Sequence, residues 1–305
     1  MSDAPPLVVL FGPTALGKTE IATALAERLG AEIVSADSMQ VYRGLAILTN
    51  HPDAGQLARV RRHLIGYVDP QEDYSVAQYA ACARDVLDGL RASATPAIIE
   101  GGSGLYVRAA LGGLDFAATP ADPDRAGLEL LAETEPETLI AELARRDPGA
   151  AERLDADNPR RLIRAVEAAR AGSTTSPKNG ALWSKGDEAD ALLITLEADR
   201  DALMSRVDTR VVEMVHAGLV AEVELALGNG PLSRTVRQAI GVSEALGLLA
   251  GDIPQSELVA RIQLRTRRLV KRQLTWMRKL PDAVRIPTAG RLPDEVADEI
   301  MRRLI

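Results

Sequence analysis

Gly12-Pro13-Thr14-Ala15-Leu16-Gly17-Lys18-Thr19 carries the spacing G-x-x-x-x-G-K-[ST], the pattern of a P-loop that cradles phosphates. Its chemistry follows from its parts. A glycine-rich turn at a helix N-terminus offers backbone N–H groups and the positive end of the helix dipole to an anion. Lys18 adds a point charge, and the Thr19 hydroxyl can reach a phosphate-bound magnesium ion. The loop reads phosphates, not the group attached to them, so ATP, GTP and other pyrophosphate esters stay open. Asp37 follows a short apolar run. It can ligate magnesium, act as a base toward an incoming nucleophile, or cap its own turn. Gly101-Gly102-Ser103-Gly104-Leu105-Tyr106 lets a backbone approach a ligand closely. Arg210 can reach pyrophosphate oxygens with its guanidinium fork or join a surface ion pair.

A second kind of chemistry lies near the C-terminus. Arg261 to Lys279 holds eight Lys or Arg residues and no acidic one. At helical spacing Arg261, Arg265, Arg268, Arg272 and Lys279 share a stripe roughly 60° wide. Arg267, Lys271 and Arg278 form another roughly 100° away, and Ile262, Leu269, Val270 and Met277 turn inward. Surface helices usually mix signs. An unmixed basic face in a chain of net charge −7 reads as a polyanion site. Pro159-Arg160-Arg161-Leu162-Ile163-Arg164 adds a smaller basic cluster.

These residues need elements to hold them. Leu7 to Phe11 is a buried strand ending at the phosphate loop, and Glu20 to Leu29 is a helix closed by Gly30. Ala31 to Ser35 is a second strand, delivering Asp37. Ser75 caps a helix running to Leu90, and Ala97 to Ile99 is a third strand, breaking at Gly101-Gly102. After Leu114, proline and acidic residues rise through Thr119 to Pro148, with helical pieces and no strand. Ser173 to Gly186 reads as a loop, Ala191 to Leu196 as a strand, and everything from Arg200 as helix after helix. Strands alternating with helices predict an α/β fold: a P-loop NTPase-like, mostly parallel sheet flanked by helices, with a small helical insertion domain. The core comprises residues 1–114 and 191–305, and the insertion 115–190.

Composition narrows the setting. An apolar fraction of 46% and a charged fraction of 26% are those of a globular chain. The lone Cys82 excludes an internal disulfide framework and is expected to be a plain buried thiol. No leader or membrane span is evident, so a cytoplasmic location is expected. Aromatics at 3% argue against a broad stacking platform for bases.

In order and spacing these motifs resemble the bacterial tRNA dimethylallyltransferase (isopentenyl-tRNA transferase) family. The resemblance runs from about Leu7 to Arg278. It rests on the phosphate loop, on Ser35 to Gly44 (SADSMQVYRG), Asp69 to Ala77, Gly101 to Tyr106, Asp157 to Ala165, Ala217 to Val223, Gln238 to Gly241 (QAIG) and Lys271 to Trp276 (KRQLTW). It implies transfer of the dimethylallyl group from dimethylallyl pyrophosphate to N6 of the adenosine 3′-adjacent to the anticodon. The phosphate loop, Gly12 to Thr19, would then hold a leaving group. By the same resemblance Asp37 is the base, and Thr19 holds Mg2+. Lys18, Arg210 and Thr19-bound magnesium stabilise charge growing on the pyrophosphate. Contacts to tRNA fall on Asp37, Ser38, Met39, Gln40, Ser103, Arg125, Arg160, Arg161, Arg164, Lys271, Arg272, Gln273, Thr275, Trp276 and Arg278. The implied partners are the tRNA anticodon stem-loop and dimethylallyl pyrophosphate, with no membrane and a monomeric chain. Several positions depart from the family pattern. Ser103 replaces a threonine and Arg160 a glutamine. Glu100 stands where a small apolar residue is usual, Leu48-Thr49-Asn50-His51-Pro52 lacks a lysine, and Val242-Ser243 replaces a tyrosine and a basic residue. Ser173 to Gly186 also departs from the usual pattern. Rival readings are a small-molecule kinase, a prenyltransferase acting on free adenine nucleotide, and a nucleotide-binding adaptor.

Overall fold

A computed structural model describes residues 5–112, 124–154, 159–172, 191–280 and 283–304. The chain divides into two units, Met1–Gly113 with Trp183–Ile305, and Leu114–Leu182.

The first unit is built on six strands: β1 (Leu7–Phe11), β2 (Glu32–Ser35), β3 (Arg62–His63), β4 (Ala97–Gly101), β5 (Ala191–Glu197) and β6 (Val284–Pro287). They form one sheet in the order β3-β2-β4-β1-β5-β6, with every pairing parallel. Parallel strands need crossovers, and these leave both faces covered. Val8, Val9, Leu10 and Phe11 of β1 are therefore at most 1% exposed, each contributing about 1.5–3 kcal/mol of burial. The helices are α1 (Lys18–Leu29), α2 (Ala46–Thr49), α3 (Ala54–Arg59), α4 (Val76–Ala92) and α5 (Gly104–Ala110). In the second unit they are α6 (Arg125–Thr134), α7 (Pro136–Arg146), α8 (Pro148–Arg153) and α9 (Pro159–Arg170). The first unit resumes with α10 (Arg200–His216), α11 (Leu219–Gly228), α12 (Arg234–Arg237), α13 (Val242–Leu249), α14 (Gln255–Arg278) and α15 (Pro293–Leu304).

The local signals act as physics requires. Gly30 ends α1 in the left-handed conformation, its N–H donating to the Ala26 carbonyl. Ser75 and Gln78 form a reciprocal capping box on α4. Two strands escape sequence reading. β3 is two polar residues with no pattern to detect. β6 reads Val-Arg-Ile-Pro inside the stretch expected to be wholly helical after Arg200, which it corrects. It extends the sheet beside β5 and brings α15 onto α1. Val296, Ala297 and Ile300 then share a core with Ile21, Leu25 and Ile33. Arg28 is tied to Asp294 and Asp298 at 2.7 Å each.

The second unit has its own small core, with Leu128, Leu139, Leu143, Leu162 and Val166 all fully buried. The loop expected over Ser173 to Gly186 lies outside the described residues. Among those described, no helix is long and apolar enough to cross a membrane.

Candidate active site

In parallel sheets, ligands gather beyond the carboxyl ends of the strands. Here the ends of β1, β2 and β4 deliver the phosphate loop, Asp37 and Glu100 to one cavity of about 430 Å³. Two residues give the phosphate loop its shape. Gly17 has φ 76°, natural for glycine. Ala15 has φ 65°, a conformation costing an L-residue roughly 1–2 kcal/mol. Lys18 donates to the Pro13 carbonyl at 2.8 Å. Burial lowers its pKa from 10.5 to about 8, against the opposing pull of Glu100 and Asp37. Arg210, projecting from α10, donates to the Thr14 hydroxyl at 2.7 Å, and burial lowers its pKa too. Arg206 and Thr209 line the same cavity. Arg206 stands one turn before Arg210, a spacing that would have revealed it in sequence.

Asp37 does two things at once. Its Oδ1 accepts from the N–H groups of Met39 (2.8 Å) and Gln40 (3.4 Å), the turn-capping role considered above. No hydrogen bond to Oδ2 occurs among the described residues. The residue also lines a second, largely apolar cavity of about 150 Å³, walled by Met39, Leu48, Val211, Met214, Ile262 and Leu269. Thr14, Ala15, Asp37, Thr49, Arg210 and Gln273 line both cavities. An anion cradle thus adjoins an apolar pocket, with a carboxylate and a guanidinium at their junction.

Magnesium would find a modest donor set. Among the described residues no group of three or more His, Cys, Asp or Glu could hold a metal. The Thr19 hydroxyl donates its proton to Glu100 Oε1 at 2.8 Å, leaving its oxygen lone pairs available. One protein hydroxyl suits an ion whose other ligands are phosphate oxygens and water, so these residues fit it.

The glycine run after β4 has a structural explanation. A Cβ at Gly101 would lie 2.3 Å from the Ala36 carbonyl oxygen, one at Gly102 2.5 Å from the Gln273 amide, and one at Gly104 2.3 Å from the Trp276 ring. The close approach is to the protein's own chain. Gln273 accepts from the Thr14 N–H (3.2 Å) and donates to the Gly102 carbonyl (2.8 Å). At 8% exposure, with both amide ends engaged, it braces two loops from a position on the wall of both cavities. Trp276 is half-buried beside Gly104, and Gln40 is similarly committed, its amide donating to the Thr49 and Asn50 carbonyls and accepting from Ser35. Ser38, Met39 and Ser103 are half-buried.

The basic helix, α14, divides into two groups. Arg261 pairs with Glu257, Arg265 with Glu244 and Arg267 with Asp208, so acids outside the acid-free stretch neutralise three of its eight cations. Arg268, Lys271, Arg272, Arg278 and Lys279 are exposed, with no ion pair among the described residues; Thr275 lies exposed beside them. In the second unit Arg125 and Arg164 converge on the fully buried carboxylate of Glu167, at 2.7 and 3.9 Å. Arg161 is exposed on the same helix, and the side chain of Arg160 lies outside the described residues.

Comparison with known proteins adds a consistent result. The IPP transferase family model matches residues 40–280. The chain is 40% identical over 275 residues to the tRNA dimethylallyltransferase of Anaeromyxobacter dehalogenans, covering 90% of this chain and 92% of that one. It is 39% identical over 294 residues to the enzyme of the same name from Opitutus terrae, covering 94% and 95%. The crystal structure of the full-length tRNA isopentenylpyrophosphate transferase from Bacillus halodurans superposes with a TM-score of 0.73 at 34% identity, covering 98% of this chain and 95% of that one.

Proposed function

The chain belongs to the IPP transferase family, and from that membership we infer an enzyme that transfers a dimethylallyl group to an adenosine of tRNA. We read the donor as dimethylallyl pyrophosphate and the acceptor as N6 of the adenosine 3′-adjacent to the anticodon. The observation that carries this reading is the junction of the two cavities. A phosphate cradle alone suits any nucleotide, whereas a cradle opening onto a short apolar pocket suits a pyrophosphate ester of a small hydrocarbon.

The chemistry is a displacement at an allylic carbon. The N6 lone pair forms a C–N bond as the C–O bond breaks, and that electron pair leaves on pyrophosphate. Lys18, Arg210 and the loop N–H groups stabilise the charge developing there. Magnesium, held by Thr19 and pyrophosphate oxygens, would supply further neutralisation. The exocyclic amine is a weak nucleophile. Asp37, with Oδ1 fixed by its turn, orients it and takes its proton on Oδ2. The adenosine reaches this position by leaving its stack. Exposed cations of α14, with Arg125, Arg160, Arg161 and Arg164 in the second unit, contact the tRNA backbone in this reading.

The test is an acceptor assay with labelled dimethylallyl pyrophosphate. Label is expected in unmodified tRNA and not in AMP or ATP; product on AMP alone would overturn the choice of acceptor.

A further inference from the structure

Glu100 is an unusual neighbour for a pyrophosphate: a carboxylate 9% exposed, at the end of β4, on the wall of the anion cavity. It is not alone. Oε2 accepts from Arg62 Nη1 at 2.6 Å, and the Arg62 side chain is only 2% exposed. The other guanidinium arm donates to the Thr23 hydroxyl (2.7 Å) and the Thr19 carbonyl (3.2 Å). Arg62 thereby joins β3 to the first turns of α1. Oε1 accepts the Thr19 hydroxyl proton at 2.8 Å.

We propose that Glu100, neutralised by Arg62, is a positioning residue that fixes the Thr19 hydroxyl for a divalent cation carried with pyrophosphate. This rests on the reading of the cradle as a magnesium–pyrophosphate site. By taking the hydroxyl proton, the carboxylate fixes the rotamer and turns the oxygen lone pairs away from itself. As an acceptor on the cavity wall, it can also receive hydrogen bonds from water on the cation. Arg62 cancels the charge that would otherwise repel the anion. The pair therefore acts chiefly on metal-linked affinity; its charge also reaches Lys18, an effect present with and without the metal.

Inorganic pyrophosphate titrated calorimetrically, in magnesium and again in EDTA, gives a ratio of affinities that measures the metal's contribution. Arg62→Met/Glu100→Leu removes both charges together, a replacement that buried ion pairs often tolerate. Its ratio should fall about tenfold, the usual scale for a group that orients a metal ligand, with the EDTA affinity changing much less than the magnesium affinity. Glu100→Gln keeps the side-chain size and should show a smaller loss in the same direction, covering the case in which the double variant does not fold. In a Thr19→Val background the Glu100 substitution should add nothing. A wild-type ratio in either folded Glu100 variant overturns the inference while the cradle reading stands. Wild-type protein whose pyrophosphate affinity ignores magnesium overturns both.

Discussion

Asp37 has one oxygen tied to its own turn and one without a hydrogen bond among the described residues, so the same side chain is both rigid and available. Asp37→Ala is expected to lower the single-turnover rate on tRNA by about 10²–10⁴-fold, with a much smaller loss of tRNA affinity; a full rate would remove the proposed base. Lys18 supplies a pH signature. Its pKa near 8 in the free protein rises when an anion arrives, so binding is linked to proton uptake. Below pH 8 the ammonium is already formed and affinity is at its full value; above pH 8 affinity declines by up to about tenfold per pH unit, until the pKa of the complex is reached. Calorimetry of pyrophosphate binding across pH 7–10 checks this, and a Lys18→Met protein should lack the decline. The cradle and Asp37 were legible in sequence because loop spacing and strand ends identify them. The Glu100–Arg62 pair was not. Arg62 sits in an Arg61-Arg62-His63 run that looks like ordinary surface charge, and only the pairing of β3 with β2 takes it into the interior.

Between elements, the clasp of α14 on the loop after β4 joins two motifs far apart in sequence through Gly102–Gln273 (sequence separation 171) and Gly104–Trp276. Gly104→Ala would press a methyl group into the Trp276 ring and should cost about 1–3 kcal/mol of stability, the range for overpacking. Trp276→Ala costs stability by itself, but in that background Gly104→Ala should lose most of its penalty, which a double-mutant cycle in urea measures. Sequence displayed both motifs as ordered landmarks without displaying why they need each other, because a glycine required for close contact looks the same whether a ligand or an indole approaches it. The strands show a similar limit. β1, β2, β4 and β5 are apolar runs that announce themselves, whereas β6 carries an arginine and ends in proline, and becomes a strand only through its pairing with β5.

The whole molecule carries net charge −7 yet concentrates on α14 exposed cations that have no ion pair among the described residues. That contrast makes tRNA association sensitive to salt. Replacing Arg268 and Arg272 by Gln should weaken tRNA binding and reduce the slope of log affinity against log salt by roughly one to two; an unchanged slope would remove these two side chains from the interface. The order in which the chain is made adds a consequence. β1 lies between β4 and β5, and α1 is covered by α15 at the far end of the chain. At about 5–20 residues per second, roughly ten to forty seconds separate the emergence of β1 from that of β5. Until then one edge of the central strand has no neighbour, and the face of α1 waits longer still for the last helix. A nascent chain stalled before Ala191 should therefore remain open to protease at its phosphate loop, making the growing polypeptide a client for chaperones over most of its translation.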